Sequence, residues 1–267
     1  MTAALRYEWR RLLTLRSTYW LIAVSVVIAA TLSSLIAWGF SGLDIASEGA
    51  GFVLAAIATQ GAGAGFAPLL IAYVMSIFGI LTFGHEYRHG MIRATLTAVP
   101  SRLAVFAAKA LLTAAVAGGT ALLCTALGLV AARIFFADMA MAGDDLVQIL
   151  LGVTLYTAMF ALVGLALAAI FRNQVVAIVA VLLFPLIGEA IIRLVLIIPD
   201  AFNDIQDAAG YLPFDAGAQM FTFLDLNQAL QIFGFQPQGP VGGGVTFGVF
   251  TAVLLLIAAL LFVRRDA

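Results

Sequence analysis

The sequence predicts an all-α polytopic membrane protein: six transmembrane helices behind an N-terminal amphipathic interfacial helix, with both termini cytoplasmic. Three observations lead there. Residues of the AVILMFWYC set make up 64% of the 267-residue chain and charged residues only 10%, against ~45–50% and ~25% in soluble domains. Six stretches reach the ~20 apolar residues that a helix needs to cross the hydrocarbon of a bilayer. Basic and acidic side chains then sort to opposite sides of a six-span fold. A mean hydropathy of +1.12 excludes both disorder and a soluble core of this length. The single cysteine, Cys124, excludes a disulfide framework.

Residues 1–16 are too short and too charged to span. Leu5, Trp9, Leu12 and Leu13 recur at helical spacing, with Arg6, Arg10, Arg11 and Arg16 between them, the pattern of a basic helix lying in the membrane interface. The first span, about 19–40, is too long for a cleaved signal peptide and lacks a convincing cleavage site. Residues 41–64 read as a flexible Gly/Ala-rich acidic loop. Spans follow at about 65–83, 104–135, 146–171 and 175–198. The third is long enough to tilt or to extend past the bilayer, and only Arg172, Asn173 and Gln174 separate the fourth from the fifth, a tight hairpin. Residues 199–244 form a long loop, too long for a simple turn, with apolar pieces such as 221–230 and a glycine-rich joint at Gly239–Gly244. The sixth span runs from about 245 to 263, and Gly244 and Gly248 form a GxxxG pair suited to close helix packing.

Six spans place both termini on one side. Arg6, Arg10, Arg11, Arg16, Arg88, Arg93, Arg102, Lys109, Arg172, Arg264 and Arg265 fall there, eleven of the 13 basic residues, so the positive-inside rule makes that side cytoplasmic. Asp44, Glu48, Asp138, Asp144, Asp145, Asp200, Asp204, Asp207, Asp215 and Asp225, ten of the 14 acids, fall on the other.

The segment with chemistry in it is Gly84-His85-Glu86-Tyr87-Arg88-His89-Gly90-Met91-Ile92-Arg93. It contains His-Glu-x-x-His, which on a helix puts two imidazoles on one face for zinc, with Glu86 as general base. An intramembrane metalloprotease built on His85, Glu86 and His89 is one reading. Against it, a catalytic zinc needs a third ligand, and the cytoplasmic side has only Glu8, Glu86 and Asp266 as acids and no other histidine. Gly90 also tends to end the helix. Within the fifth span, Glu189 and Arg193 lie four residues apart on one helix face and can pair. Charges at that depth face a cavity or the bundle interior, which makes them either a structural ion pair or a polar element of a substrate path.

Glu86-Tyr87-Arg88, Gly90, Ile92-Arg93, Thr95-Leu96, Pro100-Ser101-Arg102 and Lys109 resemble the loop after the second span of type-2 ABC transporter permeases. Tyr211-Leu212-Pro213-Phe214-Asp215 is similar to a Leu-Pro element in that family's last external loop, and the span count and loop lengths resemble its architecture. The resemblance implies one permease domain over residues 1–267, the membrane subunit of an ATP-driven exporter in a cell membrane, with a bacterial inner membrane as the expected setting. It further implies a cytoplasmic coupling loop at 84–102 in which Glu86, Tyr87, Arg88, Gly90, Ile92 and Arg93 dock on a separate ATPase subunit. A second permease copy would complete the path. No GxxxxGK[ST] phosphate loop occurs, and Ala110 follows Lys109, the only lysine, so this chain is expected to be no enzyme and to hold no cofactor. ATP and Mg would be bound by the partner. Lipid is the other expected contact, and nucleic acid is not. A stand-alone secondary transporter is the remaining alternative, although no inverted repeat is evident.

Overall fold

The computed structural model describes residues 2–42, 50–64, 68–92, 95, 97, 101–136, 143–197, 208–222 and 238–264, and every regular element among them is helical. In order these are α1 (Thr2–Thr14), α2 (Arg16–Phe40), α3 (Ala50–Ala58), α4 (Leu70–Arg88), α5 (Arg102–Phe135) and α6 (Gly143–Phe171). Then α7 runs from Gln174–Leu183 through a π-helical turn, Phe184–Gly188, into Glu189–Ile197. Last come α8 (Pro213–Ala218) and α9 (Gly239–Arg264). Six of them, α2, α4, α5, α6, α7 and α9, are long and apolar enough to cross a membrane, as the composition requires.

The helices begin and end where local chemistry permits. The Ser101 hydroxyl accepts from the Ala104 N–H and opens α5. In the tight hairpin, Arg172 takes a φ of 52°, and Asn173 accepts from the N–H groups of Val175 and Val176 at 2.9 and 3.3 Å to start α7. At the end of α4, Gly90 turns to a φ of 64°. The Met91 and Gly90 N–H groups then reach back to the carbonyls of Glu86 and Tyr87, a Schellman stop. The expected helix break at Gly90 is present.

Two loop expectations are corrected. Residues 41–64 are not simply a flexible loop: Ala50–Ala58 is helical and a 3-10 turn follows at Ala62–Ala64. The run AGFVLAAIA consists mostly of helix formers, its residues 53–58 are buried, and the Ser33 hydroxyl donates to the Ile57 carbonyl at 2.7 Å. Gly239–Gly244 is not a joint but the first turns of α9. Close packing requires Gly243 to be small more than it does the Gly244/Gly248 pair, while Gly239 has open space around it and takes a φ of 75°. A Cβ on Gly243 would land on the Ala216 carbonyl, whereas Gly248 has an ordinary contact at 3.7 Å.

The core lies between α4 and α6, whose apolar windows are 67% and 61% buried, against 22%, 17% and 28% for α2, α7 and α9. The two central helices approach at Gly79 and Gly164, where a Cβ would collide with the carbonyls of Ala161 and Ser76 respectively. The outer faces of α2, α7 and α9 carry exposed Val, Leu and Ile. Trp20 and Trp38 of α2 are both 70% exposed. Their separation along the axis, about 27 Å, matches a hydrocarbon core of ~30 Å with an aromatic at each interface.

Candidate functional site

One end of the bundle gathers most of the cationic residues described. The Arg102 guanidinium donates to the last carbonyls of α9, Phe262 and Val263, and Arg172 of the hairpin stacks over the Tyr87 ring at 5.6 Å. At this end α1 lies against α4 and α5 with Ala4, Glu8 and Leu12 turned inward, while Trp9 and Leu13 stay about half exposed. The buried stripe of α1 is therefore displaced from the Leu5–Trp9–Leu12–Leu13 edge that hydrophobicity alone suggests, because Glu8 has partners inside.

Those partners form a quartet of charges. Lys109 of α5, 1% exposed, places its Nζ 2.9 Å from both Glu8 Oε1 and Glu86 Oε1. Arg11 contacts Glu8 Oε2 at 3.0 Å and Glu86 Oε1 at 2.8 Å. Lys109 and Arg11 also donate to the Thr82 carbonyl, Thr95 donates its hydroxyl to Glu86 at 3.1 Å, and the Lys109 ammonium faces the Phe83 ring. Two carboxylates and two cations sum to zero, which is how such charges remain in the interior. The quartet, with Thr95 beyond the Gly90 stop, joins α1, the last turn of α4 and the start of α5 into one unit.

The coupling residues expected from the sequence divide accordingly. Glu86, 1% exposed, presents nothing to a partner: it is the hub of the quartet, because Lys109 and Arg11 capture its carboxylate. Ile92, also expected to dock on a partner, is likewise buried, within the main apolar cluster. Gly84–Arg88 belongs to α4 and not to a loop. Tyr87 is half-buried, whereas Arg88, His89, Gly90 and Met91 form the exposed rim. Arg93, Leu96 and Pro100 lie outside the described residues, as do most of the acids assigned to the opposite side, Arg265, Asp266 and residues 223–237 of the long loop.

His85 and His89 stand with ring centroids 6.3 Å apart, so the helical spacing does align them. Among the described residues, however, no group of three His, Cys, Asp or Glu side chains converges to hold a metal, and Glu86 is held by two cations rather than poised as a base.

At the opposite end, Glu189 is fully buried. Its two carboxylate oxygens accept from the N–H groups of Phe214 and Asp215, each at 2.9 Å, and so cap the start of α8. Arg193 forms its ion pair with Asp215. The expected Glu189–Arg193 element is thus a clamp on the Leu212-Pro213-Phe214-Asp215 turn. Pro185 and Gly188 lie in the π turn, which inserts a residue before Glu189 and re-aims it. Phe214 packs among Phe160, Phe247 and Phe250 at centroid distances of 5.0–5.7 Å.

No protein-family model matches the chain, and no curated protein matches it.

Proposed function

We propose that the chain is the permease subunit of an ATP-driven ABC exporter, working as a dimer and driven by a separate ATPase subunit that holds ATP and Mg. The N-terminal helix lies in the cytoplasmic interface of a cell membrane, both termini face the cytoplasm, and cargo passes between two copies. The observation that carries this reading is the quartet of Glu8, Arg11, Glu86 and Lys109. It fastens the N-terminal helix and two long helices behind a short exposed rim, Arg88 to Met91, so a push on the rim moves both helices together. The chain has no phosphate loop of its own, so the push must come from outside it.

Within this reading Arg88 and Gly90 touch the ATPase, Tyr87 backs them, and Glu86 transmits. The test is co-reconstitution in proteoliposomes with the P-loop ATPase encoded nearest to this chain, with the ATPase rate as readout. Wild-type chain stimulates hydrolysis. Arg88→Ala lowers the stimulation about tenfold while leaving the melting temperature unchanged, because the side chain is exposed. Transport by the purified chain without ATP or a partner would overturn the reading.

A further inference from the structure

We propose that the cleft between α1 and the end of α4 binds the phosphate of an anionic phospholipid headgroup. The cleft has a volume of about 730 Å³, within the ~300–1,000 Å³ range of ligand sites. Arg6 and Arg10 line it from one turn of α1 to the next, and His85 in the last turn of α4 and His89 just past its end line it from the facing side, with Tyr7 and Thr14 beside them. All six side chains can donate hydrogen bonds, and the guanidinium fork matches phosphate oxygens two at a time.

The charge balance selects an anion. The nearest carboxylates, Glu8 and Glu86, are matched one for one by Arg11 and Lys109. Among the described residues neither Arg6 nor Arg10 enters an ion pair. The cleft therefore keeps two uncompensated positive charges, which repel a metal ion from the histidine pair and attract phosphate. The surroundings select a lipid. Trp9 and Leu13 on α1 and Tyr19 and Trp20 on α2 are 47–70% exposed, an apolar and aromatic border against which acyl chains can lie while the headgroup enters the cleft.

The experiment uses the full-length chain in mixed-lipid nanodiscs, with native mass spectrometry reading retention of phosphatidylglycerol against phosphatidylcholine. Wild type is expected to prefer phosphatidylglycerol roughly thirtyfold, the combined effect of two basic side chains at the membrane surface. Arg6→Gln/Arg10→Gln brings the preference close to parity with an unchanged melting temperature. Arg16→Gln/Arg264→Gln removes the same charge outside the cleft and keeps the preference. Retained preference in the first double variant, or equal loss in both, overturns the site. Release of the lipid by millimolar inorganic phosphate keeps the phosphate site but overturns lipid as its occupant.

Discussion

Lys109 has its ammonium in the interior with two carboxylates at equal distance, so removing either acid leaves an imperfectly matched charge. Breaking a buried pair from one side costs roughly 3–5 kcal/mol, whereas removing both partners is far milder. Glu86→Ala is accordingly expected to lower stability by about 3 kcal/mol, and Glu86→Ala/Lys109→Met to recover most of it, because Glu8 and Arg11 still neutralise each other. Thermal unfolding in detergent of the two single variants and the double variant measures this; a double variant as unstable as the sum of the singles would sink the quartet as a coupled unit. The quartet was legible in principle. A lone lysine in the apolar run Phe106-Ala107-Ala108-Lys109-Ala110-Leu111 demands an acid, and the basic side of the chain offers only Glu8, Glu86 and Asp266. What sequence periodicity hides is direction. Glu86 reads as a surface residue of a polar segment, but helix α4 continues through Arg88 and turns that carboxylate inward.

At the level of elements, hydropathy located the six long helices, with the ends of α4 offset by five residues and the start of α9 by six, and the caps at Ser101, Asn173 and Gly90 explain three of their ends. It missed α3 and the opening turns of α9. Both are rich in alanine or glycine, which signal flexibility when the surface they fold against is unknown. α8 is the clearest case of an element held by another. It has six residues, too few to persist alone, and its first N–H groups are satisfied by Glu189 from α7. Glu189→Ala should release it. Hydrogen–deuterium exchange is expected to speed up over residues 211–219 with little change in α4 or α6, while Glu189→Gln, which keeps both polar atoms but only one acceptor, gives an intermediate result. Unchanged exchange in the alanine variant would show that the aromatic packing of Phe214 suffices without the cap.

For the whole molecule, the arginine-rich end and the Glu189–Asp215 end lie at opposite ends of the long helices, and this separation is open to direct test. In a Cys124→Ala background, single cysteines replacing Thr14 and Tyr211, both exposed, are expected to react with a membrane-impermeant maleimide from opposite faces of sealed vesicles, Thr14→Cys from the cytoplasmic face. Labelling of both from the same face rules out the six-span arrangement. Composition alone announces a membrane chain, but the order of burial among its helices, with α4 and α6 innermost, is set by where glycines let backbones touch, and hydropathy is blind to that.

The length of α5 has a mechanical consequence. The helix is held near its start by Lys109, and at Gly128 it lies against the backbone of α3, with Ala58 Cα 2.8 Å from where a Cβ would stand. The two points are about 28 Å apart along one continuous helix. Such a helix is a strut pivoting between two clamps: a tilt of ~10° at the charged end carries the other by about 5 Å over that length, the scale of a one-turn ratchet. Whatever displaces the charged end is therefore felt across the full depth of the molecule without any helix having to unfold.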